Sequence, residues 1–147
     1  MKTKFRILAL IFITAFLISC SSDDDNDAVQ PTPSVTAGFR WKENGGAEIT
    51  ADEAYFESAY KTIKASKGTS GTPGFQFVEI NLSGATAGTY AVGSGNAVGT
   101  LAGYGARAGN IQITSNTGGK MSGTLTSTGS GGGTTSLDAT FNDIEVR

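Results

Sequence analysis

Cys20 is the chain's only cysteine, and histidine does not occur in its 147 residues. Without imidazole there is no Ser-His-Asp triad, no histidine base, and no route to most zinc or copper sites. Carboxylates are the remaining chemistry. Asp143 and Glu145 lie two apart and so share one face of any strand. A glycosidase pair must flank its sugar across a cleft, roughly 5 to 10 Å apart, so edge charges are the expectation here, with weak calcium binding as a lesser role. Asp23, Asp25 and Asp27 match the opening of an EF-hand, but Ala28 stands where the turn glycine belongs and Ser34 where the bidentate glutamate belongs. Gly103-Tyr-Gly105-Ala-Arg-Ala108 fits the dinucleotide pattern GxGxxA. That pattern needs a following helix and an acid about 20 residues on. Ile111–Thr114 reads as a strand, and residues 109 to 137 hold no acid, so the segment is expected to be a glycine-rich turn. Gly119-Lys120 fails as a P-loop because Met121 follows in place of serine or threonine. No catalytic residue, metal or cofactor is expected, and the chain is read as a non-enzyme.

Cys20 has a different use. Lys2, Lys4 and Arg6 precede an uncharged apolar run, Ile7–Ile18, of twelve residues. A spanning helix needs roughly 20 apolar residues, so this run has the length and flanks of a signal peptide, residues 1–19. Its end, Leu17-Ile18-Ser19-Cys20, resembles the lipobox of bacterial lipoproteins. The resemblance implies cleavage before Cys20 and acylation of its sulfur and its new amine. Each buried methylene contributes about 0.8 kcal/mol, so two or more chains anchor the protein firmly without spanning the membrane. Ser21, Ser22, Asp23, Asp24 and Asp25 follow directly. Such an acidic block is solvated and self-repelling. A tract of this kind resembles the surface-export signal of Bacteroidota lipoproteins, which implies an outer-membrane, cell-surface location.

Residues 20–35, stiffened by Pro31 and Pro33, read as a tether, leaving a single domain at 36–147. Loss of Lys2, Lys4 and Arg6 takes the net charge from −2 to −5, because all 13 acids lie beyond them. An acidic domain without basic clusters argues against a nucleic-acid partner.

Fifteen of the 21 glycines fall between Gly84 and Gly133, where no helical apolar period is visible. Alternation marks strands at 37–43, 47–50, 75–82, 88–92, 111–114 and 120–127, with a hairpin at Asn116–Gly119. Leu137, Ala139 and Phe141 alternate to one face, and Ile144 and Val146 shift parity, which a bulge at Asn142-Asp143 would explain. Residues 50–68 carry helix punctuation: Thr50 with Glu53 as a capping box, Glu57 with Lys61, and Gly68 as a stop. Thr62–Ser66 alternates too and would pair with FQFVEINL (75–82). The expectation is a short helix near 52–60 followed by a strand. The fold class is all-β, antiparallel, as a two-layer sandwich or alternatively a small barrel.

Phe39, Trp41, Phe75, Phe77, Tyr90 and Phe141 are the expected aromatic core. Tyr55, Phe56, Tyr60 and Tyr104 sit in less regular surroundings and are the candidates for a carbohydrate- or peptide-binding platform. The segments GGAEITAD, GTYAVGSGNA, GNIQIT, KMSGTL and ATFNDIEV resemble small Bacteroidota lipoprotein domains of unknown function. The likeness implies an all-β fold and carries no activity with it. Two functions follow as expectations: a membrane-anchored, non-catalytic module binding a glycan or protein, or a carboxylate-dependent hydrolase acting on glycans.

Overall fold

The computed structural model describes residues 37–147, and its architecture follows from ten strands in one continuous sheet. They are β1 (Gly38–Glu43), β2 (Ile49–Thr50), β3 (Glu53–Glu57), β4 (Thr62–Lys67), β5 (Gln76–Asn81), β6 (Gly88–Ala91), β7 (Ala97–Thr100), β8 (Gly105–Thr117), β9 (Lys120–Ser130) and β10 (Ser136–Val146). Seven of them close a ring, β3-β4-β5-β7-β8-β9-β10 and back to β3. The all-β expectation is met in its barrel form, with β1 added along β10, β2 along β1 and β6 along β8.

Parity explains the one unusual pairing. A closed ring of seven strands cannot alternate direction throughout, so at least one neighbour pair must run parallel. That pair is β10 with β3, in register Glu145↔Tyr55 and Val146↔Phe56, while the other pairings of the ring are antiparallel. The ladder continues with Arg147 N–H donating to Phe56 O at 2.8 Å and Ser58 N–H to Arg147 O at 2.9 Å.

Side-chain alternation fills the interior. Phe56, Ile63, Val78, Ile80, Ile111, Ile113, Met121, Leu125, Leu137, Phe141 and Ile144 are buried, and β1 adds Phe39 and Trp41. Phe39 stacks on Phe141 with ring centroids 6.0 Å apart. Gly123 pairs with Phe141, and a Cβ there would meet the Phe141 ring at 2.6 Å and Gln112 O at 2.2 Å. Phenylalanine thus covers the cross-strand glycine, a device that bends a sheet without a void. Register shifts in β8 at Ala106/Ala108 and Ile113/Ser115, and in β10 at Phe141/Ile144, sharpen the coiling. The last is the bulge anticipated at Asn142-Asp143, with Asp143 in the left-handed region at φ 49°. The barrel core is packed with side chains, as small barrels are.

The expected helix near 52–60 is absent; Glu53–Glu57 is strand β3. Its burial alternates, with Phe56 inside and Glu53 exposed. Glu57, credited to Lys61 in a helix, instead binds Lys64 on the neighbouring strand at 2.6 Å. Lys61 sits at φ 53° in the turn that joins β3 to β4, and its ammonium reaches Ser83 O. The strand at 62–66 pairs with β5 as expected, Ile63↔Ile80 and Ala65↔Val78. A barrel wall buries one face of β3 on both neighbours, which local helix signals cannot match.

Candidate functional site

The outer face of β3, β4 and β5 carries two cross-strand rows, Glu53-Ser66-Phe77 and Tyr55-Lys64-Glu79. The loop from Gly68 to Phe75 rises beside them. Together Glu53, Tyr55, Lys64, Ser66, Thr69, Ser70, Phe75 and Phe77 enclose a cleft of about 380 Å³. Tyr55, Phe75 and Phe77 are each half-buried, so three aromatic rings point away from the core and into this cleft. The reason is strand parity: Val78 and Ile80 claim the inner face of β5, which forces Phe77 out.

The loop wall is fastened. Asp52 accepts Lys67 Nζ at 2.6 Å and Gly68 N–H at 2.8 Å. The Lys67 ammonium, then the Gly68 amide, hold the Asp52 carboxyl below its ordinary value. Thr72 N–H and hydroxyl both donate to Thr69 O, and Gly71 and Gly74 take positive φ to turn the chain. Arg147 lies over Tyr55. Its guanidinium lies 4.2 Å from the Tyr55 ring centroid and donates to Glu53 and Glu145, both at 3.0 Å. The Glu145 and Glu53 carboxylates push the Arg147 pKa up. On the floor, Glu57 raises the pKa of Lys64 through their hydrogen bond.

A second depression, about 430 Å³, lies over β1, β9 and β10. Its outward side chains are Arg40, Lys42, Thr124, Thr126, Asp138 and Thr140, with Glu48 at its edge. These are the ordinary polar positions of strands whose other face is buried, and none is aromatic. Ligand sites draw their affinity from apolar lining with a few polar groups, which singles out the aromatic cleft.

The candidates named from sequence are separated by the fold. Of the four platform aromatics, Tyr55 lines the cleft and Tyr60 is 72% exposed on the β3–β4 turn. Phe56 and Tyr104 are core instead, because each faces inward; Tyr104 Oη also bonds Ser127 Oγ at 3.0 Å inside the barrel. Phe75 and Phe77, expected in the core, are the cleft residues that sequence reasoning misplaced. The alternation of β5 already put Phe77 opposite Val78 and Ile80, and that signal could have found it. Asp143 sits at the β10 bulge, where Ser122 Oγ accepts its N–H at 2.9 Å, and Glu145 is held by Arg147. Among the described residues no group of three or more acidic, cysteine or histidine side chains converges as a metal site. Gly103 is a turn residue at φ 97°, but Gly105–Ala108 already belong to β8, so the GxGxxA segment expected as a glycine-rich turn is mostly strand, held by its ladder to β9. Cys20 and the tract Ser21, Ser22, Asp23, Asp24 and Asp25 lie outside the described residues, as do residues 1–19 and the tether at 20–35. No protein-family model, no curated protein and no solved structure matches the chain.

Proposed function

We propose that the chain is a lipid-anchored, non-catalytic binding module of the outer membrane, displayed at the cell surface. Acyl chains on Cys20 hold it, residues 20–35 space it from the bilayer, and the cleft of β3–β5 engages a ligand. The observation that carries the binding role is the trio Tyr55, Phe75 and Phe77, half-buried and outward on a barrel whose interior is full. Rigid aromatic area beside a few polar groups is how small-ligand sites gain affinity. Glu53, the carboxylate that lines the cleft, is held by Arg147, which favours a positional role for it over acid–base work. The lipobox wording and the acidic tract support the anchor and the location.

Two measurements test the reading. Cys20→Ala should shift the protein from the detergent phase to the aqueous phase with an unchanged far-ultraviolet circular dichroism spectrum. Partitioning equal to the unsubstituted chain would remove the anchor. Replacement of Asp23, Asp24 and Asp25 by alanine should leave lipidation intact and abolish digestion by protease added to whole cells. Equal digestion would reduce the tract to a spacer.

A further inference from the structure

Resting on the binding role proposed above, we infer that the cleft takes a neutral oligosaccharide, laid on Phe77 and the face of Tyr55 that Arg147 leaves free, and hydrogen-bonded by the hydroxyls of Ser66 on the floor and of Thr69 and Ser70 on the loop. Three features carry this. The first is charge. Each cation bordering the cleft is already committed: Lys64 to Glu57 at 2.6 Å, Lys67 to Asp52 at 2.6 Å, and Arg147 to Glu53 and Glu145 at 3.0 Å. An anionic ligand would find only cations whose charge a protein carboxylate already neutralises, whereas a neutral ring needs no counter-ion.

The second is the backbone. An extended peptide docks on a sheet by adding a strand to a free edge. The floor strand β4 is laddered on both edges, to β3 and to β5. On the far edge of β5 the β7 ladder begins at Val78, and Leu101 N–H donates to Phe77 O at 3.1 Å. The floor of the cleft thus offers side chains and no open ladder. Sugar rings need none: their C–H faces lie on aromatic rings and their hydroxyls bond polar side chains.

The third is spacing. Tyr55 and Phe77 are two strands apart and one cross-strand row out of step. At strand spacings of about 4.8 Å and a rise of about 3.4 Å per residue, their backbones lie roughly 12 Å apart. A short chain of sugars matches that backbone separation better than a single ring does. Affinity should therefore climb with chain length before levelling off.

The test is calorimetry on the purified full-length chain in nanodiscs against three series. These are neutral hexose oligomers of the common linkages, from single sugars upward, the matching uronates, and apolar peptides of similar length. Binding is expected to a neutral series alone, stronger for the oligomer than for the single sugar. Phe77→Ala should weaken it about tenfold, the equivalent of about 1.4 kcal/mol. Tyr55→Ala, which also leaves the core intact, should do the same if Phe77→Ala proves unstable. Glu57→Gln should release Lys64 and admit the uronates. Uronate or peptide binding by the unsubstituted chain, lost in Phe77→Ala, would overturn the neutral-sugar inference and leave the binding module standing. Glu57→Gln without uronate binding would overturn the charge argument and the inference with it. Absence of binding in all three series would overturn both readings.

Discussion

Asp52 uses one oxygen for Lys67 and the other for the Gly68 amide, so one exposed carboxylate ties the end of β4 to the loop that walls the cleft. Its folded-state pKa is depressed below the ordinary value of 3.8, by Lys67 foremost. A depressed carboxylate contributes stability above its unfolded pKa and loses that contribution as pH falls through the folded value. Acidification below about pH 4 should then lower the hydrogen-exchange protection factor at Gly68, taken against the intrinsic rate at each pH, before the barrel itself opens. Asp52→Asn should produce the same local loosening at neutral pH. Protection at Gly68 that is flat from pH 6 to the onset of global unfolding would contradict this account. Gly123 is the opposite kind of residue, chosen for what it lacks. A methyl group there would meet Gln112 O at 2.2 Å and the Phe141 ring at 2.6 Å, and the first of these is backbone that cannot swing aside. Gly123→Ala should cost about 3 kcal/mol or more by overpacking, read as a fall in denaturation midpoint with an unchanged slope.

Between strands, the turns carry much of the specification. Thr117 pairs with Lys120, and the two residues between them, Gly118 and Gly119, take φ values of 59° and 72°. A two-residue hairpin with positive φ at both positions matches the twist of its strands and demands glycine or asparagine. Gly118→Asn should be tolerated, while Gly118→Val should destabilise the protein by about 1 to 3 kcal/mol, measured by urea titration. This hairpin was legible in the sequence, as were the bulge at Asn142-Asp143 and the partnership of residues 62–66 with FQFVEINL. Each rests on residues whose local preference agrees with their place in the barrel. Strand β7 and the first half of β8 were not legible. Ala97–Thr100 and Gly105–Asn110 are interrupted by Gly99, Gly105 and Gly109 and by alanines, which weakens their strand signal, and they are extended because Val78–Asn81 and Thr126–Ser130 ladder with them. Residues 52–60 misled for the converse reason, since their capping and charge spacing is helical while their neighbours impose a strand. The cleft was half legible. Tyr55 was singled out, but Phe75 and Phe77 were assigned to the core on type alone, and which face of a wall is inner depends on ring closure.

Closure itself is a property of the whole chain. Strand β10 bonds β9 along one edge, and along the other it bonds first β1 and then β3. The ring is completed only when Glu145 and Val146 reach Tyr55 and Phe56, about ninety residues earlier. Pairings so distant in sequence must wait for loop closure, so folding is expected on the millisecond-to-second scale of all-β barrels. The seam also decides which loss the molecule can bear. Arg147→Ala removes exposed ion pairs and the contact over Tyr55, interactions that solvent screening keeps weak. It should melt as cooperatively as the unsubstituted protein, a few degrees lower. Deletion of Ile144–Arg147 removes the buried Ile144 and the parallel ladder together, leaving β3 with a bare edge beside the cleft. That variant should lose its cooperative transition and bind a hydrophobic dye such as anilinonaphthalene sulfonate, because the opened wall exposes Phe56 and Ile63. If the deletion melts like Arg147→Ala, the ring is held by its antiparallel pairs alone and the parallel seam adds nothing. If it collapses while Arg147→Ala does not, the buried Ile144 and the ladders of Ile144–Val146, rather than the charges around them, keep the barrel shut.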